Sequence, residues 1–350
     1  MDKNEVFGCD RRLLSNPHAM FVGVPGSGKT FSAKKDIRWV LGNTDDAVLI
    51  FPRQELDEYV NDDPYRGGSI DLPVVKIDCN DENGLFWINP FDIIYNENTH
   101  DISYSYNEVS DTLFELYKIV AGEEADVVEK SLMDKAVKIV FEPFETSLQL
   151  QNKTHDYENN PTFKEINIII NRLALYDPRY QDFLAKWNDK FAPFAKLLER
   201  KTSMPENERL IISSDQYPGH LEIHERIWSK IFDLACIRYA NNKMWLNSHD
   251  YHIHTWIYFE EADHLCNYLF ERMYKKARPK GGVITSIFQS PSNIEDEECW
   301  RQVMMNTRAY KLFCLSTMDV KFFSKAFSRD LSILRVGQQY KIPGFCIDII

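Results

Sequence analysis

Short continuous runs of apolar residues mark both ends of this 350-residue chain. Runs of four to eight such residues, bounded by glycine, proline or polar residues, are typical of strands buried in a parallel sheet. Stretches at 30–41 and 261–278 have the apolar spacing of helices. This alternation predicts an α/β fold, a parallel sheet with helices on both faces. The runs that predict strands are 18–24, 47–51, 74–77, 255–259, 282–288, 312–315 and 345–350.

The central part of the chain, from about residue 104 to 246, is mostly helical in its pattern. Apolar residues recur three and four positions apart along 109–120, and 221–246 has the pattern of one long helix. Thr162 and Glu165 fit a capping box at the start of another helix. A second capping box at 292–295 predicts a helix that runs toward residue 305. The polar tract 142–161 predicts a loop.

These patterns predict two domains, which also suits the length of the chain. Residues 1–100 and 247–350 together form the predicted α/β core, and residues 101–246 form a mainly helical insertion domain. A hydrophobic content of 44% is enough to give both parts a packed core.

The net charge and the cysteines indicate which partners and which cellular compartment to expect for this chain. The formal net charge of −12 argues against tight binding of nucleic acid by this chain alone, although weak binding stays open. Seven scattered cysteines without a Cys-x-x-Cys pair are typical of reduced thiols in the cytoplasm. The N-terminus leads into no apolar run, so no signal peptide is expected. No apolar stretch reaches the ~20 residues that span a bilayer, so membrane association is expected only through partners.

Residues 23–30, Gly-Val-Pro-Gly-Ser-Gly-Lys-Thr, match the phosphate-binding pattern G-x-x-x-x-G-K-S/T in full. They lie between a predicted strand and a predicted helix, where backbone N–H groups and the helix dipole both favour phosphate. The motif predicts binding of ATP with Mg²⁺, in which Lys29 neutralises the β- and γ-phosphates and the Thr30 hydroxyl binds Mg²⁺. The predicted nucleotide contacts are Pro25, Gly26, Ser27, Gly28, Lys29, Thr30 and Phe31.

Two adjacent acids, Glu260 and Glu261, follow the predicted strand 255–259. An apolar strand that ends in paired acids is the Walker B arrangement, in which the first acid holds Mg²⁺ and the second acts on the attacking water. Glu260 is therefore the second predicted metal residue, and Glu261 is the predicted base. The usual pair is Asp then Glu, so the longer side chain of Glu260 alters the metal geometry.

Gln289 follows the next predicted strand and faces the edge of the sheet where ligands bind, so we expect it to sense the γ-phosphate and position water. No arginine stands next to these motifs along the chain, so we expect one from a neighbouring subunit. Arg278, in the basic run 275–280, is the candidate arginine finger, and Arg308 is its rival. The basic run has two other interpretations, a phosphate contact with nucleic acid and a solvated helix end.

The order and spacing of these motifs resemble the C-terminal motor domain of VirB-four-type ATPases, which power type IV secretion and conjugative transfer. These enzymes belong to the FtsK–HerA branch of P-loop ATPases. The likeness covers nearly the whole chain, and its most specific parts are Asn-Pro-Phe-Asp at 89–92 and the context of Gln289. One element departs from the family pattern. Residues 51–56 read Phe-Pro-Arg-Gln-Glu-Leu, where the family usually has Asp-Pro followed by Glu-Tyr.

The resemblance implies a RecA-like P-loop ATPase core with a mostly parallel sheet and an all-α insertion domain. It also implies a homo-oligomer, a hexameric ring that forms at least transiently, with secretion-channel and coupling proteins as partners. The expected location is the cytoplasm, at the inner face of the cell membrane through the secretion machine.

The predicted function is ATP hydrolysis that powers substrate transfer or pilus assembly in such a machine. Two alternatives stay open. A DNA-translocating or coupling ATPase of the same branch is disfavoured by the net charge of −12. A nucleotide-gated scaffold with little turnover is favoured by the unusual Glu260–Glu261 pair.

Overall fold

A computed structural model describes residues 7, 10–53, 56–78, 84–96, 101–151, 157–214, 222–290, 294, 296–327, 339–342 and 345–349. In chain order its strands are β1 (Ala19–Val22), β2 (Ala47–Phe51), β3 (Val74–Ile77), β4 (Tyr95–Asn96), β5 (Asp101–Ile102), β6 (Arg209–Ser214), β7 (Thr255–Phe259), β8 (Gly282–Phe288), β9 (Ala309–Leu312), β10 (Gln339–Ile342) and β11 (Phe345–Ile349). Its α-helices are α1 (Lys29–Asn43), α2 (Leu56–Val60), α3 (Tyr106–Ala121), α4 (Val127–Gln151), α5 (Phe163–Leu175), α6 (Gln181–Phe191), α7 (Ala195–Leu198), α8 (Glu222–Leu246), α9 (Tyr268–Ala277), α10 (Glu297–Met305) and α11 (Thr317–Ala326).

Nine strands form one sheet in the order β10-β11-β9-β1-β8-β7-β2-β6-β3. The seven strands from β11 to β6 run parallel, and β10 pairs antiparallel with β11. β4 and β5 form a separate antiparallel pair. The predicted α/β fold with a mostly parallel sheet is therefore confirmed. Parallel strands all end at the same edge, so the segments after β1, β2, β7 and β8 meet there.

Sequence analysis did not predict two strands of the large sheet, and it placed a third strand too late in the chain. β6 lies within the stretch expected to be helical and adds to the sheet beside β2. Its apolar core, Leu-Ile-Ile, is too short for periodicity to separate strand from helix. β10 was also missed, and β9 begins three residues before the predicted run 312–315.

The predicted loop at 142–161 is wrong in its first half, because α4 continues through Pro143 to Gln151. Proline lacks the N–H that a helix interior needs, so it usually ends a helix. Here Phe141 and Leu148, on either side of Pro143, are both buried. α4 packs against α3 and α5, and this packing outweighs the local cost of the proline.

Helix starts were predicted with mixed success. The capping box at Thr162 is confirmed, since Glu165 Oε2 accepts from the Thr162 N–H at 2.8 Å. α10 begins at Glu297 instead, capped by Asp296, and most of the predicted box at 292–295 lies outside the described residues. The helix expected over 261–278 divides into a 3₁₀ turn, Ala262–Leu265, and α9.

The chain forms two compact units. Unit 1 comprises Met1–Val75, Asn207–Ser213 and Ile253–Ile350, and unit 2 comprises Lys76–Glu206 and Ser214–His252. The domain limits drawn from the sequence, with an insertion at 101–246, remain a prediction. Across the described residues, no helix is both long enough and apolar enough to cross a membrane.

The Asn-Pro-Phe-Asp element at 89–92 forms a buried polar network inside unit 2. Asn89 Nδ2 donates to Asp92 Oδ1 at 2.8 Å, and the Thr202 hydroxyl donates to the other Asp92 oxygen. Arg238 Nε donates to the Pro90 carbonyl at 3.1 Å. Burial raises the pKa of the Asp92 carboxyl to about 7, against the lowering effect of the Thr202 and Asn89 hydrogen bonds. The element therefore has a structural role within this unit.

Asp92→Asn is expected to reduce the loss of stability with rising pH. The Asp92 pKa is about 7 in the folded chain against an ordinary value of 3.8, so the folded state retains a proton that the unfolded state releases. The free energy of unfolding therefore falls as pH rises from ~4 to ~7. Between pH 5 and 8 the free energy of unfolding of the parent should fall by about 2–3 kcal/mol more than that of Asp92→Asn. Urea denaturation at both pH values measures this.

Asp182→Asn, which changes an exposed aspartate of the same unit, is the control. It should lose as much stability as the parent between the two pH values. Equal pH dependence in the parent and Asp92→Asn would contradict a proton held at Asp92.

Candidate functional site

The loop at 23–28 leaves the carboxyl end of β1 and is tied to the neighbouring strands. The Gly23 N–H donates to the Phe288 carbonyl at 3.2 Å, and the Val24 N–H donates to the Cys314 carbonyl at 2.9 Å. A Cβ on Gly23 would lie 2.7 Å from Phe313 Cβ. Only glycine fits at this position without displacing the chain, so packing explains the first glycine of the motif.

α1 begins directly after this loop and directs its N-terminus toward the same edge of the sheet. Its N-cap is Gly28, with φ 92° in the left-handed region that glycine adopts at little cost. No side chain caps the first turn, and the first N–H groups of a helix have no partners within the helix. The N–H groups of a first helical turn and the positive end of the helix dipole together make an anion-binding position.

Lys29 is folded back over the loop. Its Nζ donates to the Gly23 carbonyl at 2.6 Å and to the Val24 carbonyl at 3.0 Å. Lys29 as a whole is only 9% exposed. The ammonium group is thus held beside the loop, within the region where the motif predicts phosphate.

Glu260 joins two hydroxyl groups at the end of β7. Its Oε1 accepts from Thr30 Oγ1 and from the Tyr59 hydroxyl, each at 2.9 Å. The two predicted metal residues, Thr30 and Glu260, are therefore in direct contact. Burial, followed by the charge of Glu260, raises the pKa of Tyr59 well above its usual value, so this phenol remains a donor. Sequence analysis missed Tyr59, which lies three positions beyond the place where the family tyrosine is lacking.

Glu261 has a left-handed backbone, with φ 47° and ψ 44°. A non-glycine residue in this region is strained, and such strain concentrates at functional sites. Its Oε1 accepts from Gln289 Nε2 at 2.9 Å, and its Oε2 lies 4.0 Å from Arg53 Nε. The pairing of β2 with β7 thus brings Arg53, an arginine from a distant part of the chain, beside Glu261.

Asp263 connects the ends of β7 and β8. Its two carboxylate oxygens accept from the Gln289 N–H at 2.9 Å and the Ser290 N–H at 3.2 Å. Burial raises the pKa of Asp263, partly offset by these backbone hydrogen bonds. The contact holds Gln289 beside Glu261. An acid two residues after the pair was available in the sequence, but nothing local indicated its partner.

A cleft of about 260 Å³ gathers most of the predicted site residues. Every residue from Pro25 to Phe31 lines it, together with Glu260, Glu261 and Gln289. Its further lining residues, which the sequence did not indicate, are Glu58, Tyr65, Arg66 and Ile287. Among the described residues no group of three or more His, Cys, Asp and Glu is placed to hold a metal ion. A hydroxyl and one acid beside a phosphate site suit Mg²⁺, which is commonly held by few protein ligands plus substrate phosphates.

Arg278 lies apart from this cleft. It is exposed on the turn Arg278–Lys280, which precedes the amino end of β8, whereas Gln289 follows the carboxyl end. Seven strand residues separate these two ends by roughly 20 Å. Arg308 is also at the amino edge, since its N–H donates to the His18 carbonyl before β1. Neither arginine reaches the cleft of its own chain, and the role of either in a neighbour's cleft stays a prediction.

A parallel sheet with a phosphate-binding loop after β1 and paired acids after β7 defines the α/β fold of P-loop proteins. The sequence matches no family model and no curated protein.

Among solved structures, the chain is similar to VirB4 of Thermoanaerobacter pseudethanolicus, with a TM-score of 0.68 and 15% identity over 91% of this chain and 82% of that chain. It is also similar to the bacterial conjugative coupling protein TrwB. The unbound form gives a TM-score of 0.52 at 12% identity over 91% and 72% of the two chains. The complex with the non-hydrolysable GTP analogue GDPNP gives 0.53 at 12% over 91% and 74%. At these identities the likeness establishes a shared fold.

Proposed function

We propose that this chain binds Mg-ATP in the cleft and hydrolyses it. The observation that carries the proposal is the convergence of three separate segments on one cleft. The phosphate-binding loop, the acids Glu260 and Glu261, and Gln289 come from different parts of the sequence and all line it. TrwB has been solved in complex with ADP and Mg²⁺, which supports the same ligand class for a chain of this fold.

In this proposal each residue of the site has a separate role in binding or hydrolysis. Lys29 exchanges its bonds to the loop carbonyls for bonds to phosphate oxygens and offsets their charge. Thr30 and Glu260 would hold Mg²⁺, which supplies positive charge to the phosphates when bound. Glu261 orients the attacking water and accepts its proton, while Gln289 holds the Glu261 carboxylate. Tyr59 keeps Glu260 turned toward Thr30.

We infer that ATP hydrolysis by this chain powers substrate transfer or pilus assembly in a type IV secretion or conjugation machine. The support is the fold shared with VirB4 and TrwB and the motif resemblance. The role implies a hexameric ring at least transiently, contacts with secretion-channel and coupling proteins, and a place at the inner face of the cell membrane. The higher TM-score to VirB4 than to TrwB favours this role over that of a coupling protein.

ATP turnover measured against protein concentration, with and without duplex DNA, tests the proposal. We expect Mg-dependent turnover that DNA does not stimulate, and at most weak, salt-sensitive DNA binding. An acidic chain repels phosphates, and the run 275–280 is its local basic cluster. Submicromolar binding to duplex DNA at physiological salt would favour the DNA-translocating alternative. ATP binding without turnover at any concentration would favour the nucleotide-gated scaffold.

A further inference from the structure

The carboxylate of Glu261 has a different neighbour on each oxygen. Gln289 Nε2 donates to Oε1 at 2.9 Å, and Arg53 Nε lies 4.0 Å from Oε2. The side chains of Arg53 and Glu261 are only 15% and 26% exposed. Water screens a partly buried pair less than a surface pair, so the attraction between these two charges is stronger than in an ordinary surface ion pair.

The sheet itself brings Arg53 to this place. β2 and β7 are parallel neighbours with Phe51 in register with Phe259, and Arg53 and Glu261 each follow two residues later. Stacking of the Phe51 and Phe259 rings, with centroids 5.0 Å apart, strengthens the register at this point. The pairing of Arg53 with Glu261 thus follows from backbone hydrogen bonding between two buried strands.

Arg53 reaches Glu261 from outside the cleft. The described residues that line the cleft include Arg66 but not Arg53. A residue in this position acts on phosphate only through Glu261. It supplies positive charge at Oε2 of a carboxylate that lines the cleft, where the proposed function places the negative charge of ATP.

We propose that Arg53 is a positioning residue for Glu261. Gln289 alone leaves the carboxylate free to turn about its last bond, and the negative charge in the cleft repels it. Arg53 on the second oxygen opposes both effects and directs the carboxylate toward the attacking water. Displacement of a reacting group by about 1 Å costs roughly a hundredfold in rate. The inference rests on the proposed ATPase activity.

The test is a double-mutant cycle of Arg53→Gln and Glu261→Gln, read by single-turnover ATP hydrolysis and by the Kd for a fluorescent ATP analogue. Arg53→Gln is expected to lower the hydrolysis rate about ten- to hundredfold with little change in Kd, since the lost interaction serves the reaction and not binding. In the Glu261→Gln background the same change should have no further effect. Arg53→Lys, which keeps the charge, should retain more activity than Arg53→Gln.

Arg301→Gln is the matched control, because Arg301 forms an exposed pair with Glu298 on α10. It should hydrolyse ATP like the parent. The proposal is overturned if Arg53→Gln keeps the parental rate, or if it lowers the rate equally in both backgrounds. A parent chain that binds ATP but shows no hydrolysis would instead remove the proposed ATPase function, and the Arg53 proposal with it.

Discussion

Glu261→Gln is expected to stop ATP turnover and leave ATP binding intact. The carboxylate lines the cleft, and Gln289 and Arg53 hold it at the end of β7. Glutamine keeps the size of the side chain but cannot accept a proton, and loss of a general base costs roughly 10²–10⁴-fold in rate. The analogue Kd should stay close to the parental value, because the proposed function assigns Glu261 to the attacking water and not to the ground-state phosphates.

Lys29→Ala, in contrast, is expected to abolish tight ATP binding. Lys29 is 9% exposed and its ammonium group lies beside the loop, where it can exchange its two bonds to loop carbonyls for bonds to phosphate oxygens. Each hydrogen bond to a charged group contributes about 1.5–3 kcal/mol, which predicts at least a tenfold rise in Kd.

Equilibrium titration with a fluorescent ATP analogue and single-turnover hydrolysis separate the two variants. Glu298→Gln, which changes an exposed acid on α10, is the control and should match the parent in both measurements. Turnover of Glu261→Gln at the parental rate would show that another group activates the water.

Mixing two inactive variants, Arg278→Ala and Glu261→Gln, is expected to restore ATPase activity at concentrations that permit assembly. We propose that the cleft is completed by a neighbouring subunit in the ring. Arg278 is exposed at the amino edge of the sheet, outside the cleft of its own chain, so it is available to a second copy. An arginine finger contributes about 10³–10⁵ in rate, so each variant alone should be nearly inactive. A cleft with intact Glu261 beside a subunit with intact Arg278 regains both groups.

The same proposal predicts that the parent chain is a poor ATPase when dilute and improves as concentration rises. Analytical sedimentation of each variant tests whether both still assemble. If they assemble and no mixture regains activity, Arg278 is not the finger, and Arg308 is the next residue to replace. A mixture of Arg278→Ala with Lys29→Ala serves as a second pair, because the two residues again belong to different sides of the interface.

The segments that match nucleotide-binding motifs and line the cleft were accessible to sequence analysis because each is contiguous. A loop of eight residues carries its own conformational requirements, and a buried strand is marked by its apolar run. The strands β2, β3, β7 and β8 agree residue by residue with the predicted runs. The meeting of Glu261 with Gln289 could also be anticipated, since both follow parallel strands at one edge.

Tyr59, Arg53 and Asp263 could not be assigned in this way. Tyr59 and Arg53 meet Glu260 and Glu261 because β2 pairs with β7, a strand far away in the chain, whereas Asp263 meets Gln289 through a 3₁₀ turn that the apolar pattern did not predict. Tyr59 and Glu260 are 201 positions apart, and Gln289 and Asp263 are 26 apart. Nothing in the sequence around Arg53 indicates that β7 lies beside β2.

Local sequence patterns along the chain therefore indicated the loop predicted to bind phosphate, the positions of the paired acids and the α/β fold. Tertiary packing decided the rest. Because of tertiary packing, α4 continues through Pro143, and β6 joins the sheet although it lies in the part of the chain predicted to be helical. Tertiary packing also places Arg53 beside Glu261. The reason is that burial and strand pairing depend on residues distant in sequence, and their combined free energy exceeds the local preference of any one residue.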